Sequence, residues 1–204
     1  MTEAANIADI CSFEADYLGY IFYSRSLRFV GQKPDPAIFE IVPPTIRKVA
    51  VFVNEHLERM IEITGRYGID MIQLHGMEPP KTCQALKNNG KTVVKVFPGD
   101  QVDNMDLIRE YARCSDFFLY DTPVRSHGGS GRKFDWSQLQ KLYSEKPFFL
   151  SGGIDVKDAG KIKSLKVKGL FAADINSRFE SSPGIKEPSL VRKFIEALRD
   201  GKEK

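Results

Sequence analysis

The sequence predicts an α/β domain built on a parallel sheet, because short apolar segments alternate with longer amphipathic segments along its 204 residues. The apolar segments are rich in β-branched and aromatic residues, as is typical of strands buried on both faces. They begin about every 20 to 30 residues, which matches one strand and one helix each, and repeated units of this kind form parallel sheets. No linker or shift in composition divides the chain, so residues 1–204 are predicted to form a single domain.

Seven strands are predicted, at residues 17–23, 48–53, 70–74, 92–97, 116–120, 147–150 and 169–173. A helix over residues 2–11 precedes the first of them. Further helices are predicted to start near Asn54, at Pro79-Pro80 and near Asp155, which are residue types that favour helix starts. Periodicity alone leaves two architectures open: an eight-stranded barrel that lacks its first strand, or a doubly wound sheet with open edges.

Composition argues against several classes of protein. The net charge is only +3, and the basic residues do not cluster with aromatic ones, so nucleic acid is not an expected partner. Cys11, Cys83 and Cys114 lie far apart, which indicates reduced thiols in a cytoplasmic protein and neither disulfides nor a zinc site. There is no signal-peptide pattern and no apolar run near the roughly 18 residues of a membrane helix, so no membrane association is expected.

Two loops that follow predicted strands have the composition of an anion site. Ser151-Gly152-Gly153 lets the backbone approach a ligand closely, and Asn176-Ser177 follows the last strand with small polar groups where a short helix could begin. Ser151-Gly152-Gly153 alone is more often an ordinary tight turn with a helix cap. With the second loop in the corresponding position, the pair favours a phosphate site.

A carboxylate, a histidine and an arginine occupy other strand ends. Asp121 follows the strand at 116–120 and precedes a long glycine-rich segment that resembles a mobile lid, so it is a candidate general acid, with a turn or capping aspartate as the alternative. Gln73 and His75 fall on one face of their strand by alternation, although a structural histidine is equally compatible. Arg28 could hold a carboxylate with its planar fork, whereas Arg25 is interpreted as a solvated loop residue.

Together these segments resemble the phosphoribosylanthranilate isomerase family. The matching stretches, in family order and spacing, are GYIFYSRSLRFV, VAVFVN, IQLHG, YDTPVRSHGGSGRKFDW, LSGGI and ADINSRFE. The long block from Asp121 to Trp136 is specific, whereas Ser-Gly-Gly alone is not. The resemblance implies a (β/α)8 TIM-barrel type fold with the first β-strand missing from this chain, which leaves seven strands and a leading helix.

The resemblance also implies a reaction and roles for the candidate residues. The family converts N-(5'-phosphoribosyl)anthranilate to 1-(2-carboxyphenylamino)-1-deoxyribulose 5-phosphate in tryptophan biosynthesis, with no metal or organic cofactor. Its only implied partner is this small phosphorylated substrate, and the chain is expected to be a monomer or a homodimer. The implied roles are general acid for Asp121, carboxylate binding for Arg28, substrate contact for Gln73 and His75, and phosphate binding for Gly152, Gly153, Asn176 and Ser177.

The chain departs from the family pattern at two places. Family members begin with a strand that ends in a Lys-x-Cys-Gly-type motif, whose cysteine is the general base. This chain begins with Met1-Thr2-Glu3, which resembles the residues just after that motif, and Cys11 lies too far along to replace the cysteine. The second departure is Asn176-Ser177-Arg178, where many members have Ser-Ser-Gly.

The missing motif leaves two hypotheses. One is an isomerase whose natural start lies upstream, and the other is an inactive fragment or pseudoenzyme that binds a phosphorylated ligand without turnover. Other phosphate-binding barrel enzymes are less favoured, because the lysines and glutamate of an indole-glycerol-phosphate synthase and the metal ligands of a ribulose-phosphate epimerase are not seen. In either case the strands at 17–23 and 169–173 are expected to flank a gap one strand wide.

Overall fold

A computed structural model describes residues 1–122, 135–141 and 146–200. Its main sheet has seven parallel strands that pair in chain order, each with the next. These strands are β1 (Tyr17–Ile21), β2 (Arg47–Phe52), β3 (Met71–Leu74), β4 (Thr92–Pro98), β5 (Phe117–Asp121), β6 (Phe148–Leu150) and β7 (Leu170–Ala173). The strand predictions are confirmed, with ends that differ by one or two residues.

Helices connect successive strands and cover the outer face of the sheet. They are α1 (Ala4–Cys11), α2 (Ala37–Glu40), α3 (Leu57–Arg66), α4 (Pro80–Asn88), α5 (Met105–Ala112), α6 (Ala159–Ser164) and α7 (Pro188–Arg199), with 3-10 helices at Trp136–Lys141, Val156–Asp158 and Ser177–Phe179. In the part of the chain that the structure describes, none of these helices has the length and hydropathy needed to cross a membrane.

Two of the three predicted helix starts are confirmed. Pro80 opens α4, and Asp155 forms a capping box with Asp158 ahead of α6. Asn54 does not cap α3, which begins at Leu57. Asn54 instead adopts a left-handed φ of 51°, and its side-chain oxygen accepts a hydrogen bond from the backbone N–H of Met77 at 2.7 Å. Asparagine tolerates this conformation better than most residues, so the same residue type serves a different purpose here.

A small antiparallel hairpin after β7, which the sequence analysis did not predict, is made of β8 (Glu180–Ser182) and β9 (Ile185–Lys186). Strands of three and two residues are too short for an alternation pattern to be recognised. The hairpin is joined to α1, because the Asn6 side chain exchanges two hydrogen bonds, each of 2.8 Å, with the backbone of Lys186.

The sheet curls until its first and last strands approach each other. The rings of Tyr17 on β1 and Phe171 on β7 have centroids 6.2 Å apart. In a flat sheet these strands would lie about 29 Å apart, since six spacings of about 4.8 Å separate them. The curl excludes the doubly wound alternative and gives a fold of the (β/α)8-barrel type with seven strands. Its interior is filled by side chains from alternate strand positions, namely Val49, Met71, Val94, Val96, Leu119 and Phe149.

No ladder joins β1 to β7 within the described residues. On the side of β1 that faces β7, the amino group of Met1 donates a hydrogen bond to the carbonyl of Gly19 at 3.2 Å. The N–H of Phe22 donates to Val51 on β2, so alternation points the N–H of Gly19 the other way, towards β7. At the carboxyl end of β1, Ile21 instead forms a parallel bridge with Phe29 in the loop that follows. Before this bridge, β1 and β7 face each other across an unpaired slot, as the sequence predicted.

We predict that amide hydrogen exchange will follow this alternation. The amide of Gly19 should exchange at least about tenfold faster than those of Tyr20 and Phe22, because only the latter two donate into the ladder with β2. Two-dimensional NMR of the protein transferred into deuterated buffer measures all three. Protection of Gly19 equal to that of Tyr20 and Phe22 would contradict an open slot beside β1.

Candidate active site

A cavity of about 470 Å³ extends from the carboxyl ends of the strands through the interior of the sheet to Asp16 and to α7. All eight residues singled out in the sequence line it: Arg28, Gln73, His75, Asp121, Gly152, Gly153, Asn176 and Ser177. They come from five different strand-end segments, and the parallel sheet brings these to the same end of the barrel. The lower walls are apolar and include Val49, Met71 and Leu119. The cavity can therefore enclose a molecule with both a charged and an apolar part.

His75 and Asp121 form a hydrogen-bonded pair across the cavity. His75 Nε2 lies 3.2 Å from Asp121 Oδ2, and both side chains are about one-quarter to one-third exposed. Burial alone would lower the pKa of His75, but the hydrogen bond and charge of Asp121, with a smaller contribution from Asp174, raise it above its ordinary value. Gln73 is buried two residues before His75, on the same inward face as predicted.

Asp174 is a second carboxyl group in the cavity, and the sequence analysis did not select it. It follows β7 directly and accepts a hydrogen bond from the Ser151 hydroxyl at 3.3 Å. Burial and the neighbouring charge of Asp121 raise its pKa above the ordinary range. The available signal was its position, since it stands directly after a predicted strand just as Asp121 does.

The glycines after β6 have conformations that other residues rarely adopt. Gly152 has a φ of 95° and Gly153 a φ of 65°. A side chain on Gly152 is also excluded by space, because a Cβ atom there would lie 2.5 Å from the backbone nitrogen of Thr122. This close approach leaves the loop after β6 with backbone alone facing the cavity, a surface that suits an anion.

Asn176 and Ser177 lie in the loop after β7, next to the glycines. Ser177 begins the 3-10 helix Ser177–Phe179, where a short helix was predicted. The Asn176 side-chain oxygen accepts a hydrogen bond of 2.7 Å from Lys186 Nζ. Because Ser151 precedes the glycines and bonds to Asp174, the loops after β6 and β7 are joined to each other at their bases.

Arg28 reaches the cavity from the loop after β1 and is held by Glu180. Its Nε lies 3.0 and 2.8 Å from the two carboxylate oxygens of Glu180, and its Nη2 lies 2.6 Å from Oε2. Lys186 donates to the same carboxylate at 2.9 Å. Arg25, by contrast, is exposed.

Burial and ion pairing act in opposite directions on these groups. Burial would raise the pKa of Glu180, but Arg28 and Lys186 lower it below its usual value. Burial also lowers the pKa of Lys186, against the opposing effect of the Glu180 charge. Glu180 and Lys186 were missed in the sequence because no spacing rule connects them with Arg28.

The predicted lid falls mostly on residues 123–134, which lie outside the described part of the chain. Just beyond it, Trp136 is buried at the start of a 3-10 helix. Among the described residues, no three histidine, cysteine, aspartate or glutamate side chains are grouped closely enough to hold a metal ion.

We predict that Asp121→Asn will lower the pKa of His75, because it removes the charge that stabilises the imidazolium ion. NMR titration of the His75 ring protons, assigned with a His75→Gln variant, measures the change. Asp174→Asn should lower the same pKa by less, because Asp174 contributes the smaller effect. A His75 pKa that is unchanged in Asp121→Asn would contradict the pairing.

The same pair makes a pH-dependent contribution to stability. Because the pKa of His75 is higher in the folded protein than in the unfolded chain, the contribution is fully present below the unfolded value. It is lost as the pH rises through the folded value.

Comparison with known proteins identifies the family. A family model described as N-(5'phosphoribosyl)anthranilate (PRA) isomerase matches residues 1–197. The isomerase of Parabacteroides distasonis is 37% identical over 199 residues, which cover 97% of this chain and 90% of that protein. The isomerase of Phocaeicola vulgatus is 36% identical over 199 residues and covers 98% of this chain and 95% of its own length.

Solved structures of the family are similar over nearly the whole chain. The Thermotoga maritima isomerase superimposes with a TM-score of 0.86 at 28% identity and covers 98% of this chain and 95% of its own. A second isomerase structure, with a TM-score of 0.80, 25% identity and coverage of 98% and 95%, is a complex with reduced 1-(o-carboxyphenylamino)-1-deoxyribulose 5-phosphate. With the site geometry, these similarities show that the chain belongs to the N-(5'-phosphoribosyl)anthranilate isomerase family, enzymes of tryptophan biosynthesis.

Proposed function

We propose that the cavity carries out the Amadori rearrangement of N-(5'-phosphoribosyl)anthranilate, with Asp121 as general acid. The observation that carries this proposal is the position of Asp121. It ends β5 inside the cavity, hydrogen-bonded to His75 and next to the glycine loop, and Arg28 lines the same cavity. A general acid has to meet the ring oxygen of the sugar while the ends of the substrate are held elsewhere.

The first step is ring opening. Protonated Asp121 gives its proton to the furanose ring oxygen, the bond from that oxygen to C1 breaks, and the nitrogen lone pair forms an iminium ion with C1. His75 holds the Asp121 carboxyl group in place through their 3.2 Å contact. It also stabilises the carboxylate that is left after the transfer, because the raised pKa of His75 favours its protonated form.

The second step removes the proton from C2 and gives an enolamine, which then becomes the ketone product. The family resemblance assigns this proton transfer to a cysteine at the end of a strand that precedes α1. Such a strand would lie beside β1, where the Met1 amino group now contacts Gly19. A cysteine at this place would face the same cavity as Asp121.

The two anionic groups of the substrate are proposed to bind to different groups of the cavity. The phosphate would accept hydrogen bonds from the loops at Gly152-Gly153 and Asn176-Ser177. The anthranilate carboxylate would bind Arg28, whose Nη1 and remaining Nη2 hydrogen are not taken up by Glu180. Gln73, on the inner face between them, would contact the ribose part.

A solved relative supports this assignment of ligand class, since it binds the reduced form of the family's product. Among the similar structures, at 24% identity, is one of monomers generated from the dimeric isomerase of Thermotoga maritima. For this chain, the choice between monomer and homodimer and the cytoplasmic location remain predictions from the sequence.

We expect inorganic phosphate to bind between the Gly152-Gly153 loop and Asn176-Ser177, because two adjoining loops of small residues present their polar groups there. Titration with phosphate, followed by amide chemical shifts, should perturb these four residues first. A control titration with chloride at equal ionic strength corrects for bulk salt. Shifts confined to other parts of the protein would refute the assignment.

Asp121→Asn is expected to reduce isomerisation by about 10² to 10⁴-fold, the usual range for loss of one general acid, with little change in product binding. Turnover should be measured in the chain extended at its amino terminus by a strand that ends in Cys-Gly, as the family resemblance implies. Asp116→Asn is the matched control. It makes the same change at the opposite end of β5, where the carboxylate binds Lys87 and the N–H of Val93. Unchanged turnover in Asp121→Asn would remove this residue from the mechanism.

A further inference from the structure

Glu180 is a buried carboxylate beside the cavity to which the mechanism so far gives no role. Its side chain is 3% exposed, and it accepts hydrogen bonds from Arg28, from Lys186 and, at 3.2 Å, from the backbone N–H of Gly184. A buried carboxylate with this many donors is fixed in position. Its partner Arg28 is 14% exposed and lines the cavity, so Glu180 lies behind a residue that faces the ligand.

The contact leaves one edge of the Arg28 guanidinium group open. Glu180 lies side-on: Nε donates hydrogen bonds to its carboxylate, and Nη2 makes an ion-pair contact with Oε2. A guanidinium group has five donors in a fixed plane, so the end-on edge, formed by Nη1 and the second hydrogen of Nη2, remains. This edge has the spacing for a second carboxylate, bound bidentately. Because the guanidinium group is planar, Glu180 also fixes the direction of that edge.

Lys186 completes the charge balance of the cluster. Arg28 and Glu180 alone would form a neutral pair with little net attraction for an anion. The Lys186 ammonium group, 2.9 Å from Glu180 and 10% exposed, brings the sum of the three charges to +1. Lys186 is itself held by Asn176 and, through its backbone, by Asn6 on α1. The cluster therefore combines a fixed geometry with a net positive charge.

We propose that Glu180 is a positioning residue: it orients Arg28 for the anthranilate carboxylate, while Lys186 compensates its charge. This role rests on the proposed function, because it assumes that Arg28 receives that carboxylate. A positioning role and a purely electrostatic effect predict opposite changes in anion affinity when Glu180 is removed. Removing a negative charge next to an anion site should tighten anion binding if charge alone matters, whereas removing an anchor should weaken it.

The test uses two probes that differ only in the carboxylate. One is reduced 1-(o-carboxyphenylamino)-1-deoxyribulose 5-phosphate, and the other is the same molecule with a plain phenyl ring. Titration calorimetry on the 204-residue protein gives the dissociation constant of each. Glu180→Gln should raise the dissociation constant of the carboxylated probe about tenfold, because a misaligned charged hydrogen bond costs that much. It should raise the dissociation constant of the phenyl probe by less than about twofold.

A double variant tests whether Glu180 acts through Arg28. Arg28→Met should weaken binding of the carboxylated probe strongly, and adding Glu180→Gln to it should cause no further loss, since the anchor has nothing left to orient. Glu78→Gln is the matched control, because Glu78 is also a buried glutamate paired with a lysine, Lys95, at 2.9 Å. It should leave the ratio of the two dissociation constants unchanged.

The outcomes are distinct. Equal or tighter binding of the carboxylated probe by Glu180→Gln overturns the positioning role, and so does an equal loss of both probes. If Glu180→Gln does not fold, Glu180→Asp replaces it. That variant keeps the charge, shortens the reach to Arg28 and should weaken the carboxylated probe selectively. If the unaltered protein binds neither probe, the proposed function itself fails.

Discussion

The site depends on one constraint, the alternation of side chains along parallel strands that all end at the same edge. Because the sheet curls, every second side chain points into a shared interior. At the lower levels these side chains are apolar, as at Met71 and Leu119, and at the carboxyl ends they are polar, as at His75 and Asp121. The alternation of side chains therefore places both the apolar residues of the interior and the charged residues at the carboxyl ends of the strands.

The charged groups at this mouth are tolerated because each buried charge has partners. Glu180 has two cations and a backbone donor, and Asp174 has the Ser151 hydroxyl and lies near His75. Isolated buried charges would cost several kcal/mol each. The pairs also set direction, since Arg28 can present only the edge that Glu180 leaves open. Binding groups and their supports are therefore built by the same contacts.

The slot between β1 and β7 is a feature of the fold that lies next to the candidate active site. The curl brings the rings of Tyr17 and Phe171 into contact, while in the described chain the backbones of β1 and β7 form no ladder with each other. The cavity borders this slot, and Met1 and Gly19 are part of its lining.

The sequence by itself determined the seven strands, the shared face of Gln73 and His75, and the glycines after β6, because these depend on local periodicity and backbone conformation. It did not identify Asp174, Glu180 or Lys186, and its periodicity alone could not choose between a curled and a flat sheet, a choice that rested on the family resemblance. Those features join distant parts of the chain: His75 and Asp121 are 46 residues apart, and Arg28 and Glu180 are 152 apart. Only the tertiary structure decided them, because such contacts depend on how far the sheet curls and on which side chains then meet.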